Sequence, residues 1–325
     1  MQKQRKTEKG TLRILLLAAV GISICYLLID AYPENPKLFR YILSRRMPTL
    51  AVMILASAAI GSSSVIFQTI ANNRIMTPGM LGMSSLYTLV HTLVVFFLGS
   101  GHPAAVSSNL SFLTDLLIMA FLATAVYSGM FRIAGNNLLY VLLMGTVLSS
   151  LFGSLQSSMI RIMDPSEYDT LLTTLVADFN NVNTEVILIS LVLLAALGVF
   201  LRKELGLLDV IALGKNQAVS LGADYDRTVR KLLLGIVVCV SVATAMAGPL
   251  SFLGLLAANL SRQILRTYRH SYLITGAALS ALAITAAGQI LSQHVFRYTV
   301  PISTLITICG GIYFLYLLLF RKGGV

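Results

Sequence analysis

The sequence predicts an all-α, polytopic membrane protein of about ten transmembrane helices, folded as one domain over residues 1–325. Three observations predict it. Hydrophobic residues make up 56% of the chain and charged residues only 11%, where ordinary soluble domains carry about 25% charged. Apolar runs long enough to cross a bilayer, at about 20 residues each, recur along the chain. Lysines and arginines divide unevenly between the loops that these runs leave. A soluble fold of this size could not cover its surface with so few charges. A soluble enzyme, a nucleic-acid-binding domain and a disordered chain are therefore excluded.

The first span covers residues 11–29, behind a basic leader of Lys3, Arg5, Lys6 and Lys9. No small-residue cleavage site follows it, so it reads as a retained helix rather than a signal peptide. Span 2 covers residues 48–70, span 3 79–98, span 4 113–130 and span 5 138–160. Span 6 covers 182–201, span 7 231–247, span 9 273–291 and span 10 303–320. The stretch 252–265 is short for a crossing: it either forms span 8 or re-enters.

Charge decides the count. With ten spans and both termini inside, the outer lysines and arginines are Lys37, Arg40, Arg45, Arg46, Arg161 and Arg297. The other 18 of the 24, including Arg321 and Lys322, lie inside. Cytoplasmic loops carry this excess, so the net charge of +11 reads as orientation and not as nucleic-acid binding. Ser57 with Gly61, Gly276 with Ser280 and Ala277 with Ala281 stand four apart, the spacing at which small residues let helices approach closely in lipid.

Several chemistries lack their residues. Cys25, Cys239 and Cys309 sit inside apolar runs, without CxxC spacing, and read as packing residues. The four histidines show no paired metal-ligand spacing, so neither a metal nor another cofactor is expected. No cluster of polar groups shares one depth, so the chain is not expected to be an enzyme. His91 is the clearest titratable group inside a span, and Asp115 lies near a span end. A proton-coupled secondary transporter would use one of them. Near Gly214-Lys215 the phosphate-loop pattern fails, with Asp209 in place of its first glycine and Asn216 after the lysine. Active transport would therefore draw its energy from another subunit.

The longest inner loop runs from about 202 to 230. Leu207, Ile211, Gly214, Ala218 and Leu221 recur at three- and four-residue steps, which predicts a short amphipathic helix stopped by Gly222. Such a helix either docks in a partner's groove or lies on lipid headgroups.

Four stretches, in order, resemble the permease subunits of bacterial ABC importers for iron-siderophores and vitamin B12, the FecCD-type family. They are Arg46-Met47-Pro48 with Gln68, Asn73 to Gly82 (NRIMTPGMLG), Leu213-Gly214 to Leu221-Gly222, and Gly248 to Leu255 (GPLSFLGL). The resemblance covers about 46–322. It implies a type II ABC importer permease fold, ABC ATPase subunits beneath, a second permease subunit beside, and an extracytoplasmic binding protein that delivers cargo. It makes Leu213, Gly214, Ala218, Leu221 and Gly222 the coupling element, Asn73 and Ile75 an inner gate, and residues 135–139 the other gate. Arg45, Arg46 and Arg297 would meet acidic groups of the binding protein.

The chain departs from the family pattern in places. Arg74 replaces a proline, Thr49 an arginine, and Ala258-Asn259 a Pro-His pair. The stretch from Gly288 to Phe314 looks like the branch that handles catecholate siderophores, in which two different permeases often pair, so the resemblance favours a heterodimer. The resemblance implies a ferric siderophore as cargo, with cobalamin or haem as alternatives within the family.

Overall fold

The computed structural model describes residues 2–29, 35–99, 101–102, 108–134, 138–175, 179 and 184–320. Regular structure among them is helical throughout. In order come α1 (Gln2–Leu28), α2 (Pro36–Ile70), α3 (Met83–Leu98), α4 (Ser108–Ala134) and α5 (Leu138–Ile162). Next are α6 (Pro165–Leu175) and α7 (Thr184–Phe200), then three short helices, α8 (Arg202–Gly206), α9 (Leu208–Ile211) and α10 (Lys215–Ser220). The last four are α11 (Tyr225–Ala247), α12 (Leu253–Leu265), α13 (His270–Ile290) and α14 (Ile302–Phe320). Each segment expected to span coincides with one of the ten longest helices. The helix α6 was not anticipated: its polar sequence carries no spanning signal. Arg321 and Lys322, used to orient the chain, lie outside the described residues.

The helix α2 differs most from its expected bounds. It starts at Pro36, not Pro48, with Asn35 as N-cap accepting from the Leu38 amide at 3.3 Å. Proline at the first helical position is favourable because the amide it lacks would be unpaired anyway. The 35 residues extend about 52 Å, well beyond a hydrocarbon core of about 30 Å. The first turns therefore project from the bundle and carry Lys37, Arg40 and Arg45.

Two helices begin inside the bundle instead of at its surface. The chain leaves α2, passes a 3₁₀ turn at Pro78–Leu81 and starts α3 beside the middle of α5, where Ser85 and Ser149 hydroxyls lie 2.9 Å apart. The Tyr127 hydroxyl of α4 donates to the Leu81 carbonyl at 2.8 Å. The start of α12 meets this point, with the Ser251 hydroxyl donating to that of Ser84 at 3.0 Å. At 13 residues, α12 is about 20 Å long. It runs from this internal junction to the end of the bundle that carries the α8–α10 loop. Non-helical backbone at such depth is tolerated only where protein surrounds it, and Met76, Thr77 and Pro78 are buried.

The small residues act as packing surface. A Cβ on Gly61 would lie 2.8 Å from the Ala277 backbone, so α2 and α13 approach as closely as their backbones allow. Ser57 and Thr285 hydroxyls bridge the same pair at 3.1 Å. Ala277, Ser280 and Ala281 are fully buried there.

Candidate functional site

The α8–α10 loop is not one amphipathic helix. Gly214 adopts φ +92° and splits it into α9 and α10, a conformation that costs glycine little and other residues much. The far end matches the expected stop. The Gly222 amide donates to the Val219 carbonyl at 2.9 Å and the Ala223 amide to that of Ala218 at 3.0 Å, a Schellman closure. The break divides the predicted apolar face. Leu208, Ile211 and Ala218 (0% exposed) point into the protein, while Leu213 (53%), Val219 and Leu221 (65%) point out. Ala218 therefore seats the helix, and Leu213 and Leu221 are what the loop presents.

Ion pairs hold the loop in place. Lys215 reaches Asp226 of α11 at 2.8 and 3.0 Å, and Asp224 caps α11 by accepting from the Arg227 amide at 3.2 Å. The Glu204 carboxylate accepts from Lys231 at 2.6 Å, and this bond holds its pKa below the ordinary 4.5. Asp209 Oδ1 accepts from His270 twice, from the backbone amide at 2.9 Å and from Nδ1 at 2.6 Å. Sequence reasoning passed over Asp209 except as a missing phosphate-loop glycine.

The segment after α2 is a polar knot. The Asn73 side chain accepts from the Ile75 amide at 2.8 Å, and the Asn73 amide donates to the Gln68 carbonyl at 3.0 Å. The Arg74 carbonyl accepts from Gln68 Nε2 at 2.7 Å and from Asn259 Nδ2 at 3.0 Å. Arg74 and Asn259, both read from the resemblance as departures, meet here. The other expected gate, 135–139, falls largely outside the described residues.

At the opposite end the three expected docking arginines separate. Arg45 is exposed, stacked 5.9 Å from the Tyr41 ring centroid. Arg297 is exposed on a turn with φ +48°. Arg46 is half-buried and turned inward. Its guanidinium donates to the carbonyls of Tyr26 (2.9 Å), Leu27 (3.3 Å) and Ile29 at the end of α1 and lies over the Tyr26 ring. Arg46 thus closes a helix terminus whose carbonyls lack intrahelical partners.

His91 and Asp115 form one buried unit between α3 and α4. His91 Nδ1 donates to Asp115 Oδ2 at 2.7 Å, with Tyr87 stacked on the imidazole. Asp115 is two turns inside α4 and buried. Both groups are buried, and their bond ties α3 to α4.

A feature missed in the sequence lies on α5. Thr146, Ser150, Ser154 and Ser158, one turn apart, are all exposed, and Thr304 and Thr307 are exposed on α14. Hydroxyls at one-turn spacing in an apolar helix are the signal that could have found them. Polar side chains within spans face a bundle interior or a water-filled cavity.

Comparison with known proteins gives a consistent picture. The FecCD transport family matches residues 11–320. The chain is 38% identical to the petrobactin import system permease protein YclO of Bacillus subtilis (strain 168), over 96% of this chain and 98% of that one. It is 30% identical to the petrobactin import system permease protein FatC of Bacillus anthracis, over 99% and 92%. Its fold superposes, with TM-score 0.80 and 23% identity, on a solved structure described as an inward-facing conformation of a metal-chelate type ABC transporter, covering 97% of this chain and 100% of that one.

Proposed function

Because this chain belongs to the FecCD transport family, we propose that it is the membrane permease subunit of an ABC importer for a ferric siderophore of the catecholate class. The observation that carries the reading is the 38% identity, over nearly the full length of both chains, to a petrobactin import permease. The chain is a multi-pass permease without catalytic activity of its own; ATPase subunits and a binding protein complete such an importer.

Both termini and the α8–α10 loop lie on the cytoplasmic side in this reading, as the lysine and arginine count supports. Leu213 and Leu221 dock into the ATPase subunit, with Gly214, Ala218 and Gly222 shaping the surface they occupy. Asn73 and Ile75 form an inner gate. Arg45 and Arg297 face acidic groups of the binding protein, where opposite charge speeds encounter. The hydroxyl face of α5 lines the cargo path, opposite a second, different permease chain. The exposed Thr304 and Thr307 of α14 support a path that is wet along two helices.

Co-expression with the partner permease, the ATPase and the binding protein tests this reading. Proteoliposomes should accumulate radio-iron-labelled ferric petrobactin only with ATP and binding protein present. Equal uptake of cobalamin and no uptake of the ferric chelate would refute the cargo assignment.

A further inference from the structure

We infer that Asp209 is a positioning residue that clamps the cytoplasmic loop to the first turn of α13, so that displacement of the loop is delivered to that helix. The inference deepens the proposed permease function and rests on it. Arg269, in the N-cap position of α13, makes no capping bond with its own side chain. Asp209, 61 residues earlier, accepts from the His270 amide at 2.9 Å and from the His270 ring at 2.6 Å. An unpaired first-turn amide is thereby satisfied from another element, and a carboxylate sits at the positive end of the helix dipole.

The clamp is fixed on both sides. Leu208 and Ile211, on either side of Asp209 in α9, are buried in the core, which anchors the segment that carries the half-exposed carboxylate. His270 is buried as well. The other two ion pairs of the loop, Glu204–Lys231 and Lys215–Asp226, run to α11, the helix that directly follows it in the chain.

The helix α13 is suited to transmit motion. Its 21 residues span about 32 Å. It packs backbone to backbone against α2 at Gly61. Its far end winds into a π turn over Leu291–Val295, with the Phe296 amide donating to the Leu291 carbonyl at 3.1 Å. Exposed Arg297 and Tyr298 follow, both with positive φ. One stiff element thus joins the clamp to the opposite rim, and π turns are common at such functional points.

The test uses the complete importer in proteoliposomes and compares Asp209→Ala, Asp209→Asn and His270→Gln with wild type. ATPase-subunit binding, ATP turnover, thermal stability and ferric petrobactin delivered per ATP are measured together. Asp209→Ala should keep ATPase binding and turnover while delivery per ATP falls roughly two- to thirtyfold, the range of couplings carried through packed elements. The Asn variant, whose amide oxygen can still accept both bonds without the charge, and the Gln variant, which keeps the bond from the backbone amide, should fall between it and wild type, and they carry the test if the alanine variant does not fold. Wild-type delivery per ATP in a folded Asp209→Ala complex overturns the clamp. So does loss of ATPase binding, which would put Asp209 on the docking surface. Absence of ATP-dependent uptake in wild type overturns the permease reading itself, and the clamp with it.

Discussion

His91 Nδ1 stands 2.7 Å from Asp115 Oδ2, and the pair is closed off from solvent between α3 and α4. Removing one partner strands the other in a low-dielectric interior, at a cost of about 3–5 kcal/mol, whereas replacing both by apolar groups is often neutral. His91→Leu or Asp115→Leu alone should lower the melting temperature of the purified protein by several degrees, and the double variant should recover most of that loss. Melting temperatures in lipid discs check this. A loss in the double variant equal to the sum of the two single losses would mean that the two residues do not act as a pair.

The outer arginines should separate by assay. Arg46→Ala should destabilise the protein by about 1.5–3 kcal/mol, the worth of hydrogen bonds from a charged group. Arg45→Glu and Arg297→Glu should leave the melting temperature unchanged. These two should instead slow binding-protein association at low salt, with the difference fading as ionic strength rises. Surface plasmon resonance over a salt series resolves the two behaviours.

The Glu204–Lys231 bond makes a pH prediction. Lys231 holds the Glu204 carboxyl below its ordinary value of 4.5. The bond's contribution to stability is therefore fully present above that value and is lost as pH falls through the depressed one. Lys231→Met should be less stable than wild type at neutral pH, by about 1 kcal/mol for a pair that is partly exposed on the lysine side. The two should converge in acid. A gap that widens toward low pH would reverse the sign and exclude this role.

The knot after α2 should depend on Asn259. Asn259→Ala leaves the Arg74 carbonyl with Gln68 alone as donor, at a cost of about 1 kcal/mol. Faster amide hydrogen exchange confined to residues near 71–77 is the expected signature.

Much of the bundle was legible because hydropathy and charge placement act on every residue of a span. The ten longest helices fall where the apolar runs do. Boundaries were less legible. Lys37, Arg40, Arg45 and Arg46 interrupt the apolar sequence in the first turns of α2, so Pro48 looked like the start of a helix that begins at Pro36. Periodicity found the loop's apolar residues but could not foresee that a positive φ at Gly214 would turn Ala218 inward and leave Leu221 outside. Arg46 and Arg45 are neighbours in sequence and read alike. Only the end of α1, folded against α2, makes one a cap and leaves the other free. The Asp209–His270 clamp bridges 61 residues and has no local pattern at all.

Docking of the loop is tested most directly by pulling down the ATPase subunit with the permease in lipid discs and comparing Leu221→Asp with Ala218→Asp. Leu221→Asp should leave a folded, fully expressed protein that no longer retains the ATPase, and cargo transport should stop. Ala218→Asp buries a charge where Ala218 is 0% exposed, so it should fail earlier, by loss of folded protein. An ATPase that binds the Leu221→Asp protein as it binds wild type, or cargo that crosses without ATP, would contradict the account.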